Sequence, residues 1–343
     1  MHIPDGYLSP ATCGTMYVVT APFWVIAVKR VRKILNHRTV PALALLAAFT
    51  FILMMFNVPL PGGTTGHAVG GTMVAIVLGP WAAVLSVSVV LAIQAILFGD
   101  GGLTTLGANC FNMAVVLPMV GYYIYKVISG NSEIDSKRRL VGAAVGSYFG
   151  LLAGALLTGL ELGIQPLLFH AADGTPLYAP YALNIAIPVM AIGHLAIAGP
   201  VEAIVTGLVF LYLQRSHSTL LSRQAVQRSE GKLWLIWSGA LVLLAFATPL
   251  GLLAAGTAWA EWGAEELQEL LGYIPRGLQS MSDIWHAPLP DYTIPGTGDV
   301  AGYIISAVIG IIAVGFLLWL LGRWISRKGS VKQGSSTSGV SKA

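Results

Sequence analysis

The first two residues, Met1 and His2, together carry three nitrogen atoms that could bind one metal ion. A free α-amine, the amide nitrogen of residue 2 and an imidazole nitrogen close two consecutive chelate rings. The amine titrates near pH ~7.7–8.0 and imidazole near ~6.5, so a divalent ion can displace both protons at modest cost. Removing the amide proton needs a stronger pull, which late first-row ions such as Ni²⁺ and Cu²⁺ supply. The start of the chain is therefore a candidate metal chelate.

A fourth nitrogen ligand would have to come from another of the seven histidines. His67 lies in the segment PGGTTGHAVGG, where glycines let the backbone approach a ligand closely. The topology described below puts His37 and His217 on the other side of a membrane, and His170 and His286 in outer loops. A loop histidine is more often solvated or hydrogen-bonded than metal-bound, so the residues alone leave both possibilities open for His67.

The composition predicts a membrane protein, whose helices would have to bring these nitrogen ligands together. Of 343 residues, 55% are apolar and only 10% are charged, and the mean hydropathy is +0.74. Soluble domains carry about 25% charged residues, and the repeated apolar runs are long enough to cross a ~30 Å hydrocarbon core as helices. We expect an all-α, polytopic helix bundle in the inner (plasma) membrane of the cell. The basic excess then reports topology, and we expect no nucleic-acid partner.

Nine apolar runs predict nine spans in two modules. The predicted spans are 11–28, 41–58, 68–79, 81–98, 104–125, 140–160, 181–213, 233–252 and 302–322. Residues 1–214 form a seven-span unit, 215–232 a cytoplasmic linker, 233–325 a two-span hairpin with a long outer loop, and 326–343 a disordered tail.

The charges predict the orientation of these spans. All but Arg276 of the 19 Lys and Arg residues fall on one side, which is therefore cytoplasmic. The N-terminus then lies outside, on the same side as His67, and the C-terminus inside. The first ten residues lack the basic start of a signal peptide, so we expect the N-terminal segment not to be cleaved off.

Several other polar residues are candidates for supporting roles. Asp5, Asn109 and Asn112 could hydrogen-bond the metal ligands from behind, although ordinary bonds between helices are the commoner role for the two asparagines. Glu202 is the only acid predicted inside a span, and His194 lies about two turns earlier on the same face. An ion-coupled path through them and a contact with a partner subunit both remain open.

No enzymatic pattern is present in the sequence. It contains neither the H-E-x-x-H of a zinc protease nor a G-x-S-x-G nucleophile turn. A Walker A pattern is also missing, so ATP hydrolysis by a P-loop would need other chains. We therefore predict no catalytic residue and no bound organic cofactor.

Four segments carry a resemblance to a known family: MHIPDGYLSP at the start, the PGGTTGHAVGG loop, LGPWAAVLSVSVVLAIQAILFGDGG and TTLGANCFNMAV. Together they resemble the CbiM/NikM family, the substrate-binding membrane subunits of energy-coupling-factor (ECF) importers for cobalt and nickel. The resemblance covers residues 1–214. The later segment TPLGLLAAGTAWAEW resembles the small CbiN/NikN component of the PDGLE type, in altered form.

The resemblance implies a ligand set, a substrate and partners. In that family the metal is held by the terminal amine of the first residue, by nitrogens of the second and by a loop histidine, which correspond to Met1, His2 and His67. It implies Ni²⁺ or Co²⁺ as transported substrate, a link to cobalamin biosynthesis, and an S-component-like seven-helix fold. The implied partners are ECF ATPase subunits and a coupling transmembrane subunit. The alternative is a stand-alone, ion-coupled divalent-metal permease, which should line its route with carboxylates.

Overall fold

The computed structural model of the chain describes residues 1–34, 39–216 and 231–334, most of them helical. The helices are α1 (Pro10–Val31), α2 (Thr39–Met54), α3 (Gly71–Leu78), α4 (Pro80–Phe98), α5 (Leu106–Ser129), α6 (Lys137–Gly163), α7 (Leu183–Arg215), α8 (Gly231–Ala247), α9 (Ala264–Leu271), α10 (Arg276–Met281) and α11 (Asp299–Gly334). Short helical turns at Gln165–Leu168, Thr248–Leu253 and Pro290–Tyr292 complete them.

Six helices in the described ranges are long and apolar enough to cross a membrane: α1, α4, α5, α6, α7 and α11. The shorter α2 and the segment Trp237–Leu253 are also apolar. The chain is thus a multi-pass, largely helical membrane protein, as the composition predicts. The orientation of its ends stays a prediction.

The predicted span 68–79 is wrong as a full crossing. Its helix, α3, has eight residues, which rise only about 12 Å, well short of a ~30 Å core. Gly70 and Gly79 bound it with φ values of 75° and 94°, backbone that glycine adopts without strain. The result is a half-helix that runs directly into α4.

The loop between α2 and α3 is ordered as a small antiparallel hairpin. Strand β1 (Val58–Leu60) pairs with β2 (Thr64–Gly66), so that Val58 lies opposite Gly66. The turn residues Gly62 and Gly63 both have positive φ. His67 follows β2 directly, so the hairpin and α3 fix its backbone from both sides.

Three long helices contain π-helical turns, which are often found at functional sites. They are Gln94–Phe98 at the end of α4, Cys110–Val116 in α5 and His194–Ala198 in α7. They lie within a few residues of Asp100, Asn109 and Glu202, respectively.

The second module packs directly on the first, since α11 lies along α2. At Gly310 on α11 a Cβ atom would stand 2.0 Å from the Phe51 ring, so the two helices approach closely. The small face Ala44-x-x-x-Ala48 of α2 could serve internal packing or a partner subunit on sequence grounds. Ala48 is buried within this chain and Ala44 is partly buried against the same core, so the face contributes to internal packing.

The predicted linker and tail fall partly outside the described residues. Of the linker 215–232, residues 217–230 are not among them, and of the tail 326–343 neither are residues 335–343. Helix α11 continues to Gly334, beyond the predicted start of the tail.

Candidate metal site

The N-terminal segment folds back into the bundle, and Met1, His2 and Ile3 are all buried. The Ile3 N–H donates to Oδ1 of Asn109 at 2.8 Å, and the Ile3 carbonyl accepts from the Asn109 amide at 3.1 Å. The same carbonyl accepts from the N–H of Gly102 at 2.9 Å. A chain end that would ordinarily fray is therefore held beside α5.

Asp5 ties this segment to the loop that follows α4. Its carboxylate accepts the N–H groups of Leu103 at 3.0 Å and Thr104 at 2.8 Å, and also the Thr104 hydroxyl. A Cβ on Gly102 would lie 2.4 Å from the Asp5 nitrogen, so only glycine permits this approach. Asp5 thus supports the site by anchoring the segment.

The second module covers the same segment from outside. Gly6 turns the chain with φ of 88°, and a Cβ there would lie 2.7 Å from Cα of Leu278. The Tyr7 hydroxyl donates to the carbonyl of Trp262 at 2.7 Å. Residues of both modules therefore enclose Met1 and His2.

His2 and His67 face each other, with ring centroids 5.1 Å apart. Nδ1 of His67 lies 3.1 Å from the Ala68 carbonyl and therefore carries the proton, which leaves Nε2 with a free lone pair. Nε2 of His67 and Nε2 of His2 are buried and have no partner in the described structure, whereas Nδ1 of His2 forms no aligned hydrogen bond but lies 2.9 Å from a carboxylate oxygen of Asp100. A buried nitrogen without a partner costs about 1–3 kcal/mol, so the two Nε2 atoms together point to a missing ligand.

The environment of His67 keeps its imidazole neutral. Burial, followed by the positive charge of the Met1 amine and by His2, holds the pKa of His67 well below its usual range. Its Nε2 lone pair therefore stays available to a metal at neutral pH and somewhat below it.

Two carboxylates complete the cluster. Oε1 of Glu261 is 3.1 Å from the Met1 amine, and Oδ1 of Asp100 is 2.9 Å from Nδ1 of His2. The second contact is an ion pair whenever the His2 ring is protonated. One ligand atom from each of His2, Asp100 and Glu261 lies within 4.8 Å of the others, so nitrogen and oxygen donors converge on one point.

Asp100 is held in place by residues from both modules. The Tyr292 hydroxyl donates to its Oδ2 at 2.6 Å, and the Gln94 amide reaches that hydroxyl at 3.1 Å. Burial alone would raise the pKa of Asp100, but the charge and proximity of His2 outweigh it and hold the pKa below its usual value. The carboxylate is therefore an anion at neutral pH.

Strained backbone in the second module coincides with the residues that reach the site. Among the described non-glycine residues, positive φ occurs at Ala260 (64°), Asp291 (52°) and Tyr292 (60°). Ala260 precedes Glu261, and Tyr292 itself contacts Asp100. Such backbone costs of order 1–3 kcal/mol per residue and is concentrated at functional sites.

A cavity of about 390 Å³ opens beside the cluster, between the two modules. Its lining includes His67, Asp100, Glu261, Asp291 and Tyr292. Three carboxylates on its wall favour a cation over an anion. The cavity brings a small hydrated ion next to His67 and to the carboxylates of the cluster.

Comparison with known proteins identifies the family. Residues 2–220 match the family described as "CbiM: Cobalt uptake substrate-specific transmembrane region". The chain belongs to the CbiM family. Residues 233–327 match the PDGLE domain, as the resemblance of the second module suggests.

Relatives of this CbiM-family chain are metal transport proteins. A fused nickel transport protein NikMN of Rhodobacter capsulatus is 47% identical over 92% of this chain and 95% of its own length. A probable fused nickel transport protein LarMN of Lactiplantibacillus plantarum is 46% identical over 94% and 97%. The crystal structure of a truncated transition metal transporter matches with a TM-score of 0.59 and 54% identity, over 63% of this chain and all of that one. The family is one of transporters rather than enzymes.

Within the CbiM region the other sequence candidates lie elsewhere. The Asn112 amide donates to Thr158 at 3.1 Å and to Glu161 at 2.8 Å, away from Ile3. Glu161, just beyond the predicted span 140–160, is buried within α6. Glu202, considered for an ion path or a partner contact, accepts backbone N–H groups of the His67 loop.

The remaining histidines do not join the cluster. His170 is exposed, with Nδ1 near the Ala171 carbonyl, and the exposed His286 lies 3.8 Å from Asp283. His194 is buried, with Nδ1 against the carbonyl of Met190. His37 and His217 lie outside the described residues.

Sequence reasoning missed Asp100, Glu261 and Tyr292. A signal was available for Asp100, because its FGDGG loop is predicted on the same outer side as His67. Glu261 and Tyr292 belong to the second module, and nothing in their spacing connects them to residues 1 and 2.

The two asparagines of α5 give a matched pair of variants. Asn109→Ala is expected to weaken metal binding about 10–100-fold, the usual effect of losing a residue that holds a metal ligand in place, because Ile3 loses both of its hydrogen bonds to Asn109. Asn112→Ala should lower stability but leave the affinity unchanged, because its partners lie on α6. Equilibrium metal titration and thermal unfolding of both variants check this. Equal loss of affinity in both would contradict it.

Proposed function

We propose that the chain captures Ni²⁺ or Co²⁺ from outside the cell at Met1, His2 and His67, and carries it inward as the substrate-binding subunit of an ECF importer. The observation that carries the proposal is the convergence of the buried His2 and His67 rings, whose Nε2 atoms have no partner in the described structure, beside the Met1 amine. The names of the relatives, nickel and transition-metal transport proteins, support the same substrate class.

The proposed ligands are the Met1 α-amine, the amide nitrogen and Nδ1 of His2, and Nε2 of His67. In taking these positions the ion displaces Glu261 from the amine and Asp100 from Nδ1. Both carboxylates remain beside it as counter-charges, which matters because a buried charge is stable only when compensated. Before the ion arrives, the same two carboxylates hold the Met1 amine and Nδ1 of His2 in place.

Nickel is the favoured substrate. Four nitrogens in a plane suit Ni²⁺, which lies above Co²⁺ in the general affinity order. The two fused relatives that match over nearly the whole chain are both named as nickel proteins. Cobalt remains a substrate of the same chemical class.

The energy for import is proposed to come from partner chains, two ECF ATPase subunits and a coupling transmembrane subunit in the plasma membrane. The sequence has no P-loop of its own. A stand-alone permease would need carboxylates free to bind an ion along the spans. The buried Glu161 and Glu202 are instead engaged by Asn112 and by backbone N–H groups, so this alternative has less support.

Metal titration of the purified full chain in detergent tests the proposal. We expect one tightly bound Ni²⁺ per chain, somewhat weaker Co²⁺, and no competition from a large excess of Mg²⁺, which demands oxygen ligands. The bound nickel should show the ligand-field absorption of a planar nitrogen site. Displacement of nickel by Mg²⁺, or no nickel binding at all, would contradict the proposal.

A further inference from the structure

Glu202 is a fully buried carboxylate on α7, shortly after the π-helical turn His194–Ala198. Its Oε2 accepts the N–H of Val69 at 2.7 Å and that of Gly70 at 3.0 Å, and Oε1 lies 3.1 Å from the Gly70 nitrogen. One side chain therefore binds two successive backbone groups at the start of α3.

These are the hydrogen bonds that join the His67 loop to a distant helix of the bundle. Between the end of β2 and the start of α3, the described hydrogen bonds that reach another part of the fold all end on Glu202. His67 is two residues before Val69 and bonds only with its neighbour Ala68. The position of its Nε2 therefore depends on where Glu202 holds this loop.

The hydrogen-bond partners of this buried carboxylate are backbone N–H groups. A charged group inside a membrane protein is expensive and usually has a partner of opposite charge. No ion pair of Glu202 with a Lys, Arg or His is recorded among the described residues, and the N-terminal end of α3 supplies only partial positive charge. What the carboxylate provides is a fixed connection between α7 and the His67 loop.

We infer that Glu202 is a positioning residue that sets His67 as a metal ligand and makes its position depend on α7. The inference rests on the proposed function. When α7 shifts against α3, the loop moves with it, Nε2 leaves the ion, and the chelate on residues 1 and 2 is left with one ligand fewer. Movement of a spanning helix thereby weakens binding at a site to which that helix contributes no ligand.

A double-mutant cycle in the full chain tests this inference. Glu202→Ala is expected to weaken Ni²⁺ binding about 10–100-fold, whereas in a His67→Ala background the same change should alter affinity less than about twofold, because the ligand that it positions is already absent. Glu202→Gln keeps one oxygen to accept both N–H groups and should retain most of the wild-type affinity.

Glu161→Gln is the matched control, since it alters another buried carboxylate whose partner is Asn112 on α5. It should leave nickel affinity unchanged. Equal effects of Glu202→Ala with and without His67, or no effect at all, would overturn the inference. Unchanged affinity in His67→Ala alone would instead overturn the ligand assignment on which it rests.

The ligand-field spectrum of bound nickel gives a second measurement where His67→Ala binds too weakly for a cycle. Nickel-saturated Glu202→Ala is expected to lose the wild-type spectrum, because the fourth nitrogen no longer reaches the ion. Glu202→Gln should keep it. A wild-type spectrum in Glu202→Ala would overturn the inference.

Discussion

One additional residue before Met1 is expected to reduce the nickel affinity of the full chain by more than about 100-fold. This effect exceeds the one expected for Asn109→Ala or Glu202→Ala, which leave all the proposed ligands in the chain. The extension converts the α-amine into an amide, which no longer offers a lone pair to the ion without losing a proton. It also has to fit where Met1 is already buried, with its amine 3.1 Å from Glu261. Both effects act on the first ligand of the proposed chelate.

Removing the same extension provides the control for this result. A residue that a protease cleaves off leaves Met1 with a free amine, and this product should regain the wild-type affinity. The same residue added after Ala343 should have no effect. Wild-type affinity in the extended protein would show that the amine is not a ligand.

His2→Ala and His67→Ala, each made in the otherwise wild-type chain, are expected to remove most of the nickel affinity. The first change deletes one ring nitrogen of the chelate, and the second deletes Nε2, which is buried and without a partner in the described structure. Because neither ring makes a hydrogen bond that the fold depends on, thermal stability of the metal-free protein should fall little or rise. Competition with a chromogenic chelator measures the affinity.

Two exposed histidines serve as controls for these variants. His170→Ala and His286→Ala should bind nickel as the wild type does, since both side chains are exposed whereas the cluster is buried. If His67→Ala kept its affinity while Asp100→Ala lost it, the site would be the mixed set of His2, Asp100 and Glu261 instead of four nitrogens.

Composition and hydropathy were sufficient for the fold class but not for the number of crossings. An apolar run such as 68–79 has the hydropathy of a spanning helix, whereas the backbone at Gly70 and Gly79 ends the helix after eight residues. Glycine permits such a break without requiring it. Only the packing of the hairpin and of Glu202 against this segment decides that it forms a half-helix.

The site itself was partly predictable. Metal-chelate chemistry and the predicted membrane topology lead to Met1, His2 and His67. Both depend only on residue types and on the placement of the charged residues along the chain. Glu261 lies 260 residues from Met1 along the chain, and only packing between modules brings it there. No local pattern encodes such a contact.

Asn109 and Asn112 show a finer limit of the sequence argument. Three residues apart on a regular α-helix, they would share a face. The π-helical turn Cys110–Val116 begins between them and changes that register. Asn109 therefore binds Ile3, whereas Asn112 turns towards α6.

Anomalous diffraction at the nickel edge from crystals of the full chain grown with Ni²⁺ tests the central claim most directly. We predict one peak within bonding distance of the Met1 amine, the amide nitrogen and Nδ1 of His2, and Nε2 of His67. Glu261 and Asp100 should be seen beside the ion without binding it. A peak bonded to those carboxylates and remote from His67, or one at His170 or His286, would contradict the claim.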